Sequence, residues 1–396
     1  MRLFAKPFLF QPEDVFLLTG IVLVVLSGVY SRTIVPPLGL YVVSQIVPVI
    51  LSPDPALGLE QIIRIGYFAT IAWAISSAVR NVGMLGVVAK SWMFGTAIAV
   101  GAGFFGVWRY VVEGYRSNAL LLMYPGWDVP RLRSLLYNPN SLANFLSVGV
   151  ICTVAALADS RSRRATMGYG GLAVAGVMAT LLTFSRGGWL GLTIGFAALF
   201  FGGWRLRRSV LVVSMVGIVG VSLILLVLDS GPLTLARRIS TTKTGDYSVV
   251  GRTMNLRTSL NMILENALWG VGLGRFDAAY LTYLKDEYKS DAFPQLNAWA
   301  QAPHNMYIGV LGETGIVGFA GFAALLAWFL RVMYRNWTAT DDDQAHLRRA
   351  LVAGGMAILV QGAFADLWLE REVVYGLGLN WAMYEHLLRR PARTAD

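Results

Sequence analysis

The sequence predicts an all-α polytopic integral membrane protein of about eleven (ten to twelve) transmembrane helices, with one large, partly helical periplasmic loop. Three observations predict it. Hydrophobic residues make up 56% of the 396-residue chain and charged residues only 14%, with a mean hydropathy of +0.57. Apolar runs recur along the chain at close to the roughly 20 residues that cross a hydrocarbon core as a helix. The arginines fall in short clusters between those runs, which is how membrane orientation is written into a sequence.

Taken in order, the apolar runs lie near residues 15–30, 34–51, 62–79, 91–112, 140–158, 167–184, 187–203, 209–229, 316–334, 350–369 and 373–388. The second is interrupted by Pro36, Pro37 and Pro48, and residues 80–90 suit either an interfacial helix or the start of a span. The stretch before the first run has no short apolar core followed by a small-residue cleavage site, so it reads as a retained first span. Arg161, Arg163 and Arg164, then Arg205, Arg207 and Arg208, then Arg335, Arg348 and Arg349, and finally Arg389, Arg390 and Arg393 mark one side. The positive-inside rule makes that side cytoplasmic. The turn at Ser185–Gly188, residues 109–139 and the loop 230–302 then share the opposite, outer side. Three segments follow: a transmembrane bundle over 1–229, a periplasmic loop over 230–302, and C-terminal transmembrane helices with a cytoplasmic tail over 303–396.

Composition also excludes functions. The net charge of +10 is accounted for largely by orientation clusters, so nucleic acid is not an implied partner. A single cysteine, Cys152, sits inside an apolar run, which leaves no disulfide framework and no thiolate chemistry. The three histidines, His304, His346 and His386, are far apart, and the outer loops hold no Asp-x-Asp pair. No metal is expected, and no cofactor.

The long loop mixes both signs of charge and reads as folded. From Arg252 to Ala267 it carries Leu256, Leu260, Ile263, Leu264 and Ala267 at helical spacing, a face that suits either packing on the bundle or resting at the membrane surface. The glycine-rich GVGLGRF from Gly270 follows. No strand precedes it and no βαβ unit surrounds it, so it is not a dinucleotide loop.

After the loop comes APHNMYIGVLGETGIVGF, from Ala302. A histidine just after Pro303, at the positive end of a helix, resists protonation and stays neutral near pH 7, able to accept a proton. Glu313 follows nine residues later, on the opposite face if the helix is continuous; a break at Gly309, Gly312 or Gly315 would change that. Asn138 and Asn140 suit caps of the span that follows them.

Five stretches together resemble the bacterial O-antigen ligase and Wzy-type polysaccharide polymerase family: YNPNSLANFL from Tyr137, LLTFSRGGWLGL from Leu181, GRTMNLRTSL from Gly251, LWGVGLGRF from Leu268 and HNMYIGVLGETGIVG from His304. The resemblance implies a metal-independent membrane glycosyltransferase that takes a glycan from an undecaprenyl diphosphate carrier. The acceptor is the lipid A core for a ligase, or another carrier-linked glycan for a polymerase. It implies that Arg186 and Arg252 grip the diphosphate and that His304 is the general base for the acceptor hydroxyl. Arg257, Arg275, Asn305 and Glu313 are lesser candidates. Arginine suits the task because its permanently charged fork holds phosphate oxygens bidentately.

Plainer readings stand beside these. Arg186 suits snorkelling to the interface, Arg252 a solvated loop charge, and His304 a helix cap. Asp366, Glu370 and Glu372 offer a base from another direction, and Trp127, Tyr124 and Trp299 suit either sugar stacking or an interfacial belt. A small-anion transporter, or a non-catalytic component of lipid-glycan export, is the alternative to an enzyme. Transport calls for polar residues through the bilayer midplane, and most runs here are apolar through their centres apart from positions such as Arg64.

Overall fold

The computed structural model describes residues 12–28, 30–79, 82–113, 119–122, 130–136, 138–227, 247–284, 302–339, 345–365 and 371–389. These are almost wholly helical. The first five helices are α1 (Pro12–Ser27), α2 (Val35–Ser44), α3 (Ile46–Ile50), α4 (Pro55–Ala78) and α5 (Val82–Glu113). A two-stranded antiparallel ribbon follows, β1 (Leu121–Leu122) with β2 (Arg131–Leu132), pairing Leu121 with Leu132. Then come α6 (Pro139–Asp159), α7 (Arg163–Leu182), α8 (Arg186–Phe201), α9 (Trp204–Val227), α10 (Tyr247–Glu265), α11 (Phe276–Tyr283), α12 (Met306–Thr338), α13 (Ala345–Gly362) and α14 (Arg371–Arg389).

Every expected apolar run falls on a helix. Among the described residues, five helical stretches are long and apolar enough to cross a membrane: Gly83–Glu113, Pro139–Asp159, Arg163–Leu182, Trp204–Ile224 and Met306–Thr338. Three shorter apolar ones, Leu18–Ser27, Val35–Ile50 and Arg186–Phe201, add to them. The second run is split at Gln45. Pro48 explains the split, because its ring opposes the carbonyl four residues back, that of Ser44, where α2 ends. Lys90 lies inside α5, so the residues from Val82 continue that helix and do not form a separate interfacial one.

The chain forms two compact units: residues 1–80, 243–335 and 362–396 make unit 1, and residues 81–242 and 336–361 make unit 2. In unit 2, α6 packs against α5, α7, α8 and α9. It is buried along most of its length. Two of its hydroxyls are satisfied within the helix, with Ser147 and Thr153 donating to the carbonyls of Ala143 and Gly149 at 2.6 and 2.7 Å. In unit 1, α14 packs on α4, and α1 and α2 on α4 as well. Glu385, buried on α14, accepts from the hydroxyls of Ser31 and Thr33 at 2.8 and 2.7 Å and from the Thr33 amide at 3.1 Å. That carboxylate fixes the turn between α1 and α2.

Candidate functional site

In unit 1 the site is built around a deliberate break in a membrane helix. Gly315 interrupts α12 with φ 60° and ψ −168°, a conformation open only to glycine. The break frees carbonyls before it and amides after it, and residues 267–272 take them up. Val271 and Gly272 donate to the carbonyls of Gly312 and Glu313 at 3.0 and 2.9 Å. In return, Ile316 and Val317 donate to the carbonyls of Ala267 and Leu268 at 2.8 and 3.3 Å. The backbones run so close that a Cβ on Gly315 would stand 2.4 Å from the Leu268 carbonyl. One on Gly270 would stand 2.3 Å from that of Glu313. The GVGLGRF turn is therefore a splice into a broken helix.

Glu313 completes the splice. Its carboxylate accepts from the amides of Gly274 and Phe276 at 3.0 and 3.2 Å, at the start of α11. It thus neutralises the positive end of that helix. The break comes after Glu313, and the side chain turns toward the glycine loop.

His304 precedes α12 with φ 50°, a strained setting for a non-glycine residue. Asn305 follows it and accepts from the amides of Tyr307 and Ile308 at 3.0 and 3.1 Å, which makes it the cap of α12. His304 itself is exposed, so a second molecule can reach its ring. The protein mass behind it, and then the positive charge of Arg252, hold its pKa below the ordinary histidine value. Both influences oppose the imidazolium, the direction the sequence predicts, and desolvation by the surrounding protein and a neighbouring cation are the causes. Arg252 lies half-buried on α10. One turn on, Asn255 ties α10 to the histidine segment: its amide donates to the Ala302 carbonyl at 2.9 Å, and it accepts from the Tyr280 hydroxyl at 2.8 Å. Burial also raises the pKa of Asp277 and of Tyr280, both on α11. These two and His304 lie outside the spans, and all three belong to unit 1.

Arg257 is exposed on α10. Arg275 stands just before α11, and its Nε is buried with no hydrogen bond among the described residues.

Unit 2 holds Arg186 at the first turn of α8, where Ser185 caps the helix by accepting from the Gly188 amide at 3.3 Å. Gly188 serves helix packing rather than ligand approach, since a Cβ there would meet that of Ala143 at 2.4 Å. Behind this turn lies an arginine that the sequence reading passed over. Arg131, on β2 and 9% exposed, donates from Nε to the Thr183 carbonyl at 2.7 Å and from a terminal nitrogen to Asn140 Oδ1 at 3.1 Å. Asn138 caps α6 as expected, through bonds of 2.8 and 2.9 Å to Asn140 and Ser141. The Asn140 side chain instead serves Arg131. Arg131 stands beside Arg133 just before the proline and asparagines that open α6, and no pattern in the sequence singles it out.

His346 bonds the Asp159 carboxylate at the opposite end of unit 2, a structural pairing. Tyr124, Trp127, Trp299, Asp366 and Glu370 lie outside the described residues. No group of three or more His, Cys, Asp or Glu that could hold a metal ion occurs among the described residues.

The membrane-length apolar helices and the almost wholly helical described residues define a helical membrane protein. Residues 171–323 match the family model described as O-antigen ligase, which bears out the family resemblance of the sequence blocks. That span contains Arg186, Arg252, Arg257, Arg275, His304, Asn305 and Glu313, and it supports an O-antigen ligase-type membrane enzyme. No curated protein matches the chain. A chain from a solved structure described as "Structural coordination of polymerization and crosslinking by a peptidoglycan synthase complex" is similar at 15% identity, with a TM-score of 0.43. The match covers 91% of this chain and 99% of that one.

Proposed function

We propose that this protein is an inverting, metal-independent glycosyltransferase that moves a glycan from undecaprenyl diphosphate to an acceptor hydroxyl on the periplasmic side of the inner membrane. The observation that carries this reading is His304: exposed, strained, held neutral, and within the electrostatic reach of Arg252. A neutral imidazole takes the acceptor proton while the acceptor oxygen bonds to the anomeric carbon. The bond from that carbon to the phosphate oxygen breaks in the same step, and the diphosphate leaves with the electron pair. Arg252 offers a fixed cation to the charge that develops there. Arg186 is assigned the same class of ligand on its own surroundings in unit 2, and Arg275, whose Nε has no hydrogen bond among the described residues, is assigned a lesser share in unit 1.

The acceptor is the lipid A core in a ligase or a second carrier-linked glycan in a polymerase. The test is transfer by purified protein in the presence of EDTA, offering each acceptor in turn to wild type, Arg186→Ala and His304→Ala. Transfer to one acceptor that is lost in both variants supports the reading and names the acceptor. Folded protein that transfers to neither sinks it and favours anion transport.

A further inference from the structure

Helix α10 is inside out for a helix in water. Leu256, Leu260 and Leu264, spaced four residues apart on one face, are 44%, 44% and 77% exposed. The face turned into unit 1 carries Asn255, Thr258 and Ser259, each no more than 1% exposed, between Met254 and Met262. An amphipathic helix in water places these sets the other way round. The outward stripe also does not stop at the end of α10. It runs on through Leu268 and Trp269 to Ile316, themselves 57%, 40% and 56% exposed, and the backbone splice joins these residues directly. Ile316 belongs to α12, a helix of membrane-spanning length and composition.

We infer that α10 lies in the membrane interface, with Leu256, Leu260 and Leu264 immersed in bilayer acyl chains as a continuation of the lipid-facing surface of α12. Continuity with that span names the occupant: an apolar stripe that merges with the outside of a membrane helix meets the same solvent. Arg257 on the exposed arc does not oppose this, because its long stem lets the guanidinium reach the headgroups. Immersion sets the depth of the site. Arg252, at the border between the outward and inward faces of the same helix, is held at the level of lipid phosphates. Resting on the function proposed above, a carrier diphosphate then meets Arg252 without leaving the bilayer.

The test places spin labels at Leu260→Cys, Leu264→Cys and Glu265→Cys of the full-length protein in lipid nanodiscs. The native Cys152 is buried and 2% exposed, so it does not compete for the label. Oxygen, which partitions into acyl chains, is expected to reach labels 260 and 264 better than a water-soluble nickel chelate, with the order reversed at the exposed Glu265 position. Chelate-accessible labels at all three positions would place α10 in water and overturn the inference. Labels at 260 and 264 shielded from both reagents would also overturn it, by showing a protein partner on that face. In a second assay, a Leu260→Asp, Leu264→Asp variant is expected to lose transfer from the full-length carrier while keeping it from a short-chain, water-soluble diphosphate donor. Equal loss with both donors would count against a role in membrane depth. Because the accessibility experiment needs no turnover, failure of the proposed activity is read separately, as wild type inactive with either donor.

Discussion

The histidine region of unit 1 and the Arg186 region of unit 2 solve opposite problems. As the proposed base, His304 must be reachable and neutral, and its setting is a strained residue ahead of a helix that is itself broken at Gly315. Arg186 must be held still while permanently charged, and its setting is a capped helix end braced by Arg131. Among the described residues, three that are not glycine have positive φ: His304, Phe184 two residues before Arg186, and Ser134 three after Arg131. Strain thus marks both regions, and in unit 1 it falls on the proposed base itself. A titratable group is tuned by where the backbone puts it, whereas a fixed cation needs only anchoring.

The contrast breaks most visibly at His304. Replacing it with alanine is expected to lower transfer by about a hundredfold or more, the usual contribution of a general base, while the melting temperature stays near wild type because the side chain is exposed. Arg131→Met should behave in the reverse sense. It strands a buried carbonyl and a side-chain amide, at about 1–3 kcal/mol each, so thermal stability should fall strongly and activity with it. Equal stability in the two variants would erase the distinction between tuned and braced. Gly315→Ala comes next: forcing Cβ against the Leu268 carbonyl and into positive φ should cost about 1–3 kcal/mol by strain alone, read as a lowered melting temperature in detergent. Glu313→Ala removes the carboxylate that caps α11, with an expected loss of about 1–2 kcal/mol; Glu313→Gln should recover part of it.

Much of this was legible in the residues. Apolar runs and basic clusters located the helices, because lipid demands a period and length that a sequence states openly. Asn138, one residue before a proline and an apolar run, announced a cap. The Leu256, Leu260 and Leu264 stripe was visible too, but its direction was not: the spacing of leucines says that a helix has an apolar face and is silent on whether lipid or protein covers it. The splice was hidden for a different reason. GVGLGRF and GETGIVG lie some forty residues apart, and each looks like an ordinary flexible segment until their backbones are seen to exchange hydrogen bonds. For the same reason the partners of Glu313 were hidden: they are amides in the distant glycine turn, not groups of its own segment. Asn255 and Tyr280 carried no signal beyond their polarity.

The subtlest test concerns the coupling within unit 1. Two influences lower the His304 pKa, burial first and the Arg252 charge second. Removing the charge in Arg252→Gln leaves burial in place, so the pKa should rise toward, but not reach, that of a histidine in water. The sign is fixed by which form each influence opposes: both oppose the imidazolium, so loss of one makes protonation easier. In the wild type, the neutral base persists as pH falls below the ordinary histidine value. In the variant, protonation sets in at higher pH, and the acid limb of the transfer profile should move upward with it. Nuclear magnetic resonance of labelled histidine reads the titration directly, with His304→Ala assigning the signal among the three histidines. Arg252→Lys keeps the charge and should restore the low pKa even where transfer stays impaired, since an ammonium cannot grip a phosphate bidentately. A titration unmoved by Arg252→Gln would leave burial alone in control of His304, and the arginine would then touch the substrate without tuning the base.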